Sequence, residues 1–399
     1  MLHKLEEPIW FEKTVYLLKH DFGTSEERHS LAQKALEYLY SVGGIKVPDW
    51  DFLHDIIRPN ITNSNLEETS TEFTDIFIQK VLLREYSEAL VILESLEIKI
   101  IQYYQYLEEI GKLLVLKRDF HGLEKLSYRL EGYHQNNKET ESISIDELHS
   151  YQRCKLMLTI SKILEGNFFE TCYNVFQLWK ENPEIILNHV GKHHASSNIQ
   201  ENIESIYSKE EIEKVILVSV IISIPLDEMD KFSHLIDLQD FFQEMPIVEE
   251  CLKMLKNTQF KNFFLRWYDE IKPIFEKSML LGSLWSKVDF IMCSKIYYFY
   301  LKISSCVRIS YLSNILGIRD DVVRSQLLKL IDIGGLNFKV DEQNDDIVLF
   351  KERDVLDEAI EMLKINERLI TQKLQQRNNL FENIVFQSSP NLNGNVHSR

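Results

Sequence analysis

Between residues 75 and 300 the apolar positions recur three and four apart, the spacing of one helix face, and polar stretches interrupt them at intervals. "NITNSNLEETSTE" (60–72), "HQNNKETESIS" (134–144) and "GKHHASSNIQEN" (191–202) read as loops between helices, and "QSSPNLNGNVHSR" reads as a polar, disordered tail. Inside the helical pattern one local arrangement comes back three times, a Leu followed four residues later by an aromatic: Leu82 and Tyr86, Leu116 and Phe120, Leu164 and Phe168. Each marks the tight turn of an αα-hairpin, with the Leu ending one helix and the aromatic wedging the next against it.

The aromatic members stand 34 and 48 residues apart. The first interval equals the period of tetratricopeptide-type hairpins, and the second fits one such unit plus the polar loop at 134–144. A hairpin of this kind cannot cover its own apolar face, so successive hairpins stack into a curved rod. A plain bundle would also place Leu and aromatic residues in this way; the interval favours the solenoid.

After residue 300 the pattern changes. Ser310 can cap a short helix whose face is Leu312, Ile315 and Leu316, and Gly317 permits a turn. Asp320 and Asp321 open a second helix with the stripe Val323, Leu327, Leu330 and Ile331, stopped by Gly334 and Gly335. Alternating Leu336, Phe338 and Val340, a polar turn at 342–345 and a return from Ile347 to Phe350 predict a β-hairpin. Helix, turn, helix and hairpin make a winged helix. From Lys351 to about Phe386 the residues Leu356, Ile360, Leu363, Ile370, Leu374, Phe381 and Ile384 form a near-heptad stripe on one long helix, which either seeks a partner helix or packs back on its own domain.

The expected fold class is all-α with a small β wing: a TPR-like right-handed helical-repeat solenoid, a winged helix and a long C-terminal helix. The expected division is N-terminal helices and a polar loop over 1–74, repeats over 75–300, the winged helix over 301–351, the C-terminal helix over 352–386 and the tail over 387–399. Composition agrees, with only 13 Gly and 8 Pro in 399 residues. The longest apolar run, Val215 to Ile224, is about half of the roughly 20 residues that cross a bilayer. With no signal-peptide core at the start, the expected location is cytoplasmic and nuclear, with no membrane partner.

A net charge of −17 disfavours a polyanionic partner. Across 302–350 there are six cationic side chains (Lys302, Arg308, Arg319, Arg324, Lys329, Lys339) against seven carboxylates, and the groove-entering end of the second helix carries Asp320 and Asp321. A DNA reader needs the opposite arrangement. Nucleic acid is therefore an unlikely partner, and the module reads as one used for protein contact, with a sheet edge that another chain's strand could extend.

The stretch "DFIMCSKIYYFYLKISSCVRISYLSNILGIRDDVVRSQLLKLIDIGGLNFKVD" (289–341), a helix ending in aromatics, an apolar strand-like segment, two helices and a wing, resembles the core of the PCI family, named after the proteasome lid, the COP-nine signalosome and translation initiation factor three. The upstream "LIDLQDFFQEMPIVEECLKMLKNTQFKNFFLRWYDEIKPIFEKSMLLGSLWSKV" is similar to the branch holding the largest signalosome subunit and its proteasome-lid counterpart. The chain is shorter than that branch usually is and poorer in repeat signatures, as a divergent fungal-type version would be.

What this resemblance implies is a non-catalytic scaffold, joined to other PCI-domain subunits in a hetero-oligomeric complex, most closely a signalosome-like complex acting in cullin deneddylation. Membership of the proteasome lid or of initiation factor three is the alternative within the class, and a PCI nucleic-acid adaptor is the alternative outside it. The expected contact residues are Asn337, Lys339, Asp341, Ile347 and Leu349 on the wing edge, together with the seven stripe residues of the C-terminal helix.

No His-x-His pair occurs, and His189, His193 and His194 come without the acid of a zinc-protease motif. "SVGGIKVPDW" (41–50) lacks the Lys-Ser or Lys-Thr ending of a phosphate-binding loop. The five cysteines (Cys154, Cys172, Cys251, Cys293, Cys306) are scattered and read as buried reduced thiols. No catalytic residue, metal or cofactor is expected.

Overall fold

The computed structural model describes residues 5–57, 76–95, 103–137, 144–190, 206–229, 239–304, 306–341 and 346–349, and helical positions 363–365, 367–369, 371–373 and 375. The loops expected at 60–72 and 191–202 and the tail at 387–399 lie outside the described residues. Of the loop expected at 134–144, the first four residues are helical and 138–143 lie outside.

Helices α1 (Glu6–Lys19), α2 (Ser25–Ser41) and α3 (Trp50–Ile57) enclose a small core of Phe11, Val15, Leu18, Leu36, Leu39 and Leu53, which Leu82 of α4 (Ile76–Leu82) helps to close. Thr24 and Glu27 start α2 with a reciprocal capping box. Hairpins follow: α4 with α5 (Tyr86–Glu94), α6 (Tyr103–Lys117) with α7 (Phe120–Asn137), α8 (Ile145–Ser161) with α9 (Phe168–Glu181), and α10 (Glu184–Val190) with α11 (Lys209–Ser223). Helix α6 also packs on α8 and α9 on α11, so each hairpin is covered by the next, as in a helical-repeat solenoid. Gly111 permits the close approach of α6 to α8, since a Cβ there would collide with the Met157 methyl.

The three recurring Leu-to-aromatic steps fall on turns between helices, and the residue two after each Leu has left-handed backbone: Arg84 (φ 61°), Arg118 (φ 57°) and Gly166 (φ 78°). In the first two the next amide reaches back to the preceding helix, Glu85 N–H to the Lys80 carbonyl at 2.9 Å and Asp119 N–H to that of Leu114 at 3.0 Å. This closure satisfies carbonyls that a helix end leaves open. A left-handed non-glycine residue costs about 1–2 kcal/mol. At Arg84 the cost is offset by what the side chain does, because its guanidinium binds the buried Glu12 carboxylate of α1 at 3.0 Å and Asp49 at 2.6 Å. Arg118 likewise reaches Ser283 Oγ at 3.2 Å.

Helix α11 is the hub. Val215 to Ile221 are buried on every side because α9 and α10 cover one face and the later helices α13 (Pro246–Lys256), α15 (Lys272–Lys277) and α16 (Trp285–Ile303) cover the other. The long apolar run is thus an all-round buried core helix. Among the described residues no helix is long and apolar enough to cross a membrane.

Helix α12 (Gln239–Glu244) leads into α13; a fourth copy of the hairpin turn, at left-handed Thr258 (φ 56°), then connects α13 to α14 (Phe260–Arg266). Residues Trp267–Ile271 form a wide π turn before α15, and the Lys272 N–H bonds five residues back to the Trp267 carbonyl. Pro273 explains it: proline has no N–H for the regular ladder and its ring crowds the carbonyl four residues earlier.

Where α16 crosses the end of α11, the Lys295 ammonium donates to the carbonyls of Ile221, Ile222 and Ile224. Burial, the main influence, lowers the pKa of this amine to about 7, and the nearby Cys172 side chain opposes that shift only weakly. Lys295→Met keeps the apolar stem but strips a donor from three carbonyls, and should cost on the order of 2 kcal/mol. A urea midpoint unchanged from the wild type would contradict this.

Beyond α16 come β1 (Cys306–Arg308), α17 (Ile309–Leu316), α18 (Asp320–Gly334), β2 (Phe338–Asp341) and β3 (Asp346–Leu349). The three strands form an antiparallel sheet in the order β1-β3-β2, with Val307 opposite Ile347 and Ile347 opposite Val340. This is a winged helix. One buried core runs without interruption from α4 to Ile347 of the wing. Ser310 does not cap α17: the cap position is Arg308, which makes no side-chain bond there, because β1 feeds directly into the helix. Gly317 (φ 69°) and Gly335 (φ 55°) end α17 and α18 in left-handed conformation, the geometry glycine tolerates best.

Candidate functional site

The winged helix is fixed to the solenoid by polar groups as well as by apolar packing. Tyr297 Oη on α16 donates to Gln326 Oε1 on α18 at 2.7 Å, and α16 is itself held within the helical region by Trp267 Nε1 of the π turn, which donates to Asp289 at 3.1 Å. Leu312, Leu316, Val323 and Leu327 face inward with Val307 and Ile347. Sequence reasoning did not find this polar seam, whose members lie far apart along the chain.

Its surface is poor in free positive charge. Arg319 pairs with Asp321 at 3.1 Å, Lys302 with Asp227 at 3.2 Å and Arg308 with Asp346 at 3.7 Å. Lys329 sits 4.5 Å from the centre of the Phe290 ring. Arg324 and Lys339 are also engaged. Asp320 and Asp321 lie exposed in the first turn of α18. Every one of the six cations of the module has an intramolecular partner, so a phosphate backbone would have to break those contacts at an acidic helix end.

The expected wing-edge residues divide. Asn337 lies just before β2, and Lys339 and Asp341 lie on it, at an outer edge of the sheet. Ile347 and Leu349 are corrected: both lie on β3, the central strand, whose two sides are already paired, and Ile347 is fully buried. The sequence shows a strand-like segment ahead of the helices but not its pairing, and it is the pairing of that segment, β1, with β3 that makes β3 central. Of the C-terminal stripe, Leu363 is helical and exposed, together with Ile365 and Leu369. Leu356, Ile360, Ile370, Leu374, Phe381 and Ile384 lie outside the residues whose side chains are described.

No reactive thiol accompanies this surface. Burial pushes Cys172 up to about 12 and Cys251 to about 11, and raises Cys154 and Cys293 as well. Cys306 departs from the expected buried class, since it lies exposed on β1, where partial desolvation and the adjacent Asp346 carboxylate raise its pKa. His189 donates to the Ile185 carbonyl at 2.8 Å, and His193 and His194 lie outside the described residues. Among the described residues no group of three or more His, Cys, Asp or Glu is placed to hold a metal ion.

Residues 1–289 match the family described as the CSN11 N-terminal domain, and residues 306–388 match the CSN11 C-terminal domain. The chain is similar to the Cop9 signalosome complex subunit 11 of Saccharomyces cerevisiae, with 31% identity over 409 residues, covering 96% of this chain and 90% of that one. It is also similar to COP9 signalosome complex subunit 11 of Candida glabrata (26% identity, covering 94% and 86% of the two chains) and of Eremothecium gossypii (26%, covering 78% and 72%).

Proposed function

This chain belongs to the CSN11 family, and on that premise we propose that it is a non-catalytic scaffold of a signalosome complex, holding other PCI-type subunits together in an assembly that removes the ubiquitin-like modifier from cullins. It is a signalosome subunit and works within a multisubunit complex. The observation that carries the scaffold reading is the winged helix itself: it has the fold of a groove reader, but its cations are internally paired and its leading helix end is acidic. Such a surface suits protein neighbours. Cytoplasmic and nuclear residence goes with this reading.

The C-terminal helix supplies a second contact. Leu363, Ile365 and Leu369 stand exposed on a helical stretch, and a run of large apolar residues in water is the mark of a helix awaiting a bundle. Changing Leu363, Ile370 and Leu374 together to Asp is expected to abolish stoichiometric co-purification with the other subunits while leaving the melting temperature of the isolated chain within a few degrees. Retained co-purification would remove this helix from the interface.

A further inference from the structure

Helix α1 belongs to two cores at once. Phe11, Val15 and Leu18 recur along one helical face and pack with α2 and α3 in the small N-terminal core. Leu5, which opens the helix, and Ile9 lie on the opposite face and belong to the main core that runs to the wing. Further along, that second face turns polar, because Glu12, Lys13 and Tyr16 continue it at the same helical spacing. The N-terminal helices are therefore a unit with a core of its own, joined to the repeats by apolar contact at one end of α1 and by polar contact at the other.

The two ends meet different parts of the chain. At the apolar end the Leu5 N–H bonds to Glu109 of α6, and the Arg84 guanidinium, in the turn of the first hairpin, holds Glu12 and Asp49. At the polar end α1 reaches elements much later in the chain. Burial lowers the pKa of Lys13, and the Glu211 carboxylate in the first turn of α11 opposes that shift. Tyr16 Oη donates to the Glu276 carbonyl of α15 at 3.0 Å, a contact across 260 residues. Gly282, in the short turn that leads into α16, makes room for it, since a Cβ there would collide with the Tyr16 hydroxyl. Gly282 is not among the residues with left-handed backbone, so it is the tyrosine and not the turn that requires a glycine here.

A joint between two units of one chain stays closed on its own when it is large and apolar, and this one ends in a single hydrogen bond from a half-buried tyrosine. We propose that Tyr16 and Gly282 form a latch that holds the N-terminal unit against the segment leading into the winged helix, and that the unit opens on this side by rocking about its contacts with the first two hairpins. Closed, the N-terminal helices and the winged helix stand at one fixed spacing; open, they stand further apart. The inference concerns the chain itself and does not depend on which subunits the winged helix meets.

The test uses the full chain with spin labels at Lys34→Cys on α2 and Ser325→Cys on α18, both exposed positions, in a Cys306→Ser background. Pulsed electron resonance then reads the distance between them. Tyr16→Phe, which inserts nothing, should raise the fraction of molecules at a longer distance about fivefold through loss of the hydrogen bond. Gly282→Ala should raise it about tenfold or more, since its methyl takes the place of the hydroxyl. Adding Tyr16→Phe to Gly282→Ala should bring the fraction back down, because the colliding atom is gone, whereas two independent lesions would add. An unchanged fraction in Tyr16→Phe, or a double variant at least as open as Gly282→Ala alone, overturns the latch.

Discussion

Lys112→Met is expected to destabilise the chain by about 3–5 kcal/mol at pH 7.5, because it leaves a buried carboxylate, Glu109, without its paired cation. Lys112 lies in the middle of α6 with its ammonium 2.8 Å from Glu109 and 3.5 Å from Glu108, and all three side chains are nearly excluded from water. Glu108 keeps a second cation, since Arg153 grips it with bonds of 2.9 and 2.8 Å. Glu109 keeps the Leu5 N–H, at 3.0 Å, and the more distant attraction of Arg153.

Burial already raises the pKa of Glu109, with Lys112 holding it down, so removing the lysine sends it higher. A carboxyl with a raised pKa binds its proton more readily in the folded than in the unfolded chain, and the variant therefore recovers stability as pH falls toward its folded pKa. The deficit should be largest near pH 7.5 and should shrink toward pH 5, which paired urea titrations of wild type and variant would measure. A deficit below about 1 kcal/mol at pH 7.5, or one that grows as the pH falls, would show that the charges are not held as described.

Trp267→Ala should cost a similar amount, about 3–5 kcal/mol, through a different cause. Its ring is fully buried, 5.4 Å between centres from both Phe263 and Trp285, and its indole N–H satisfies Asp289. Truncation opens a cavity and leaves a half-buried carboxylate, itself held above the usual range by burial, without one of its donors. Trp267→Phe keeps most of the volume and loses only the donor, so it should fall between alanine and wild type. Equal midpoints for the two variants would mean that the hydrogen bond, and not the packing, dominates.

Much of the fold could be read from local pattern. Leu82 to Tyr86, Leu116 to Phe120 and Leu164 to Phe168 announce hairpin turns because the geometry of each turn is built within a few residues. The copy at 256–260 escaped notice because Lys256 stands where the other turns have Leu, although Thr258 takes the same left-handed backbone. The winged helix was equally legible, since glycines, carboxylates and strand alternation all sit in one short stretch.

The rest depends on partners remote in sequence. Glu109 meets Leu5 across 104 residues and Arg84 meets Glu12 across 72, and nothing in the neighbourhood of either residue marks it as paired. Strand β1 has only three residues, too few for alternation to show which strand it joins, and without that pairing Ile347 and Leu349 look like edge residues.

The widened turn at Trp267–Ile271 has a consequence for comparison with relatives. One surplus residue inside a helix rotates everything after it by about 100°. A relative that lacks the surplus should therefore show a single-position gap near here, within a segment that otherwise aligns as uninterrupted helix. Deleting one residue from this chain at that point would keep its composition almost intact yet turn Phe275 away from Trp285, the neighbour it now meets at 5.7 Å.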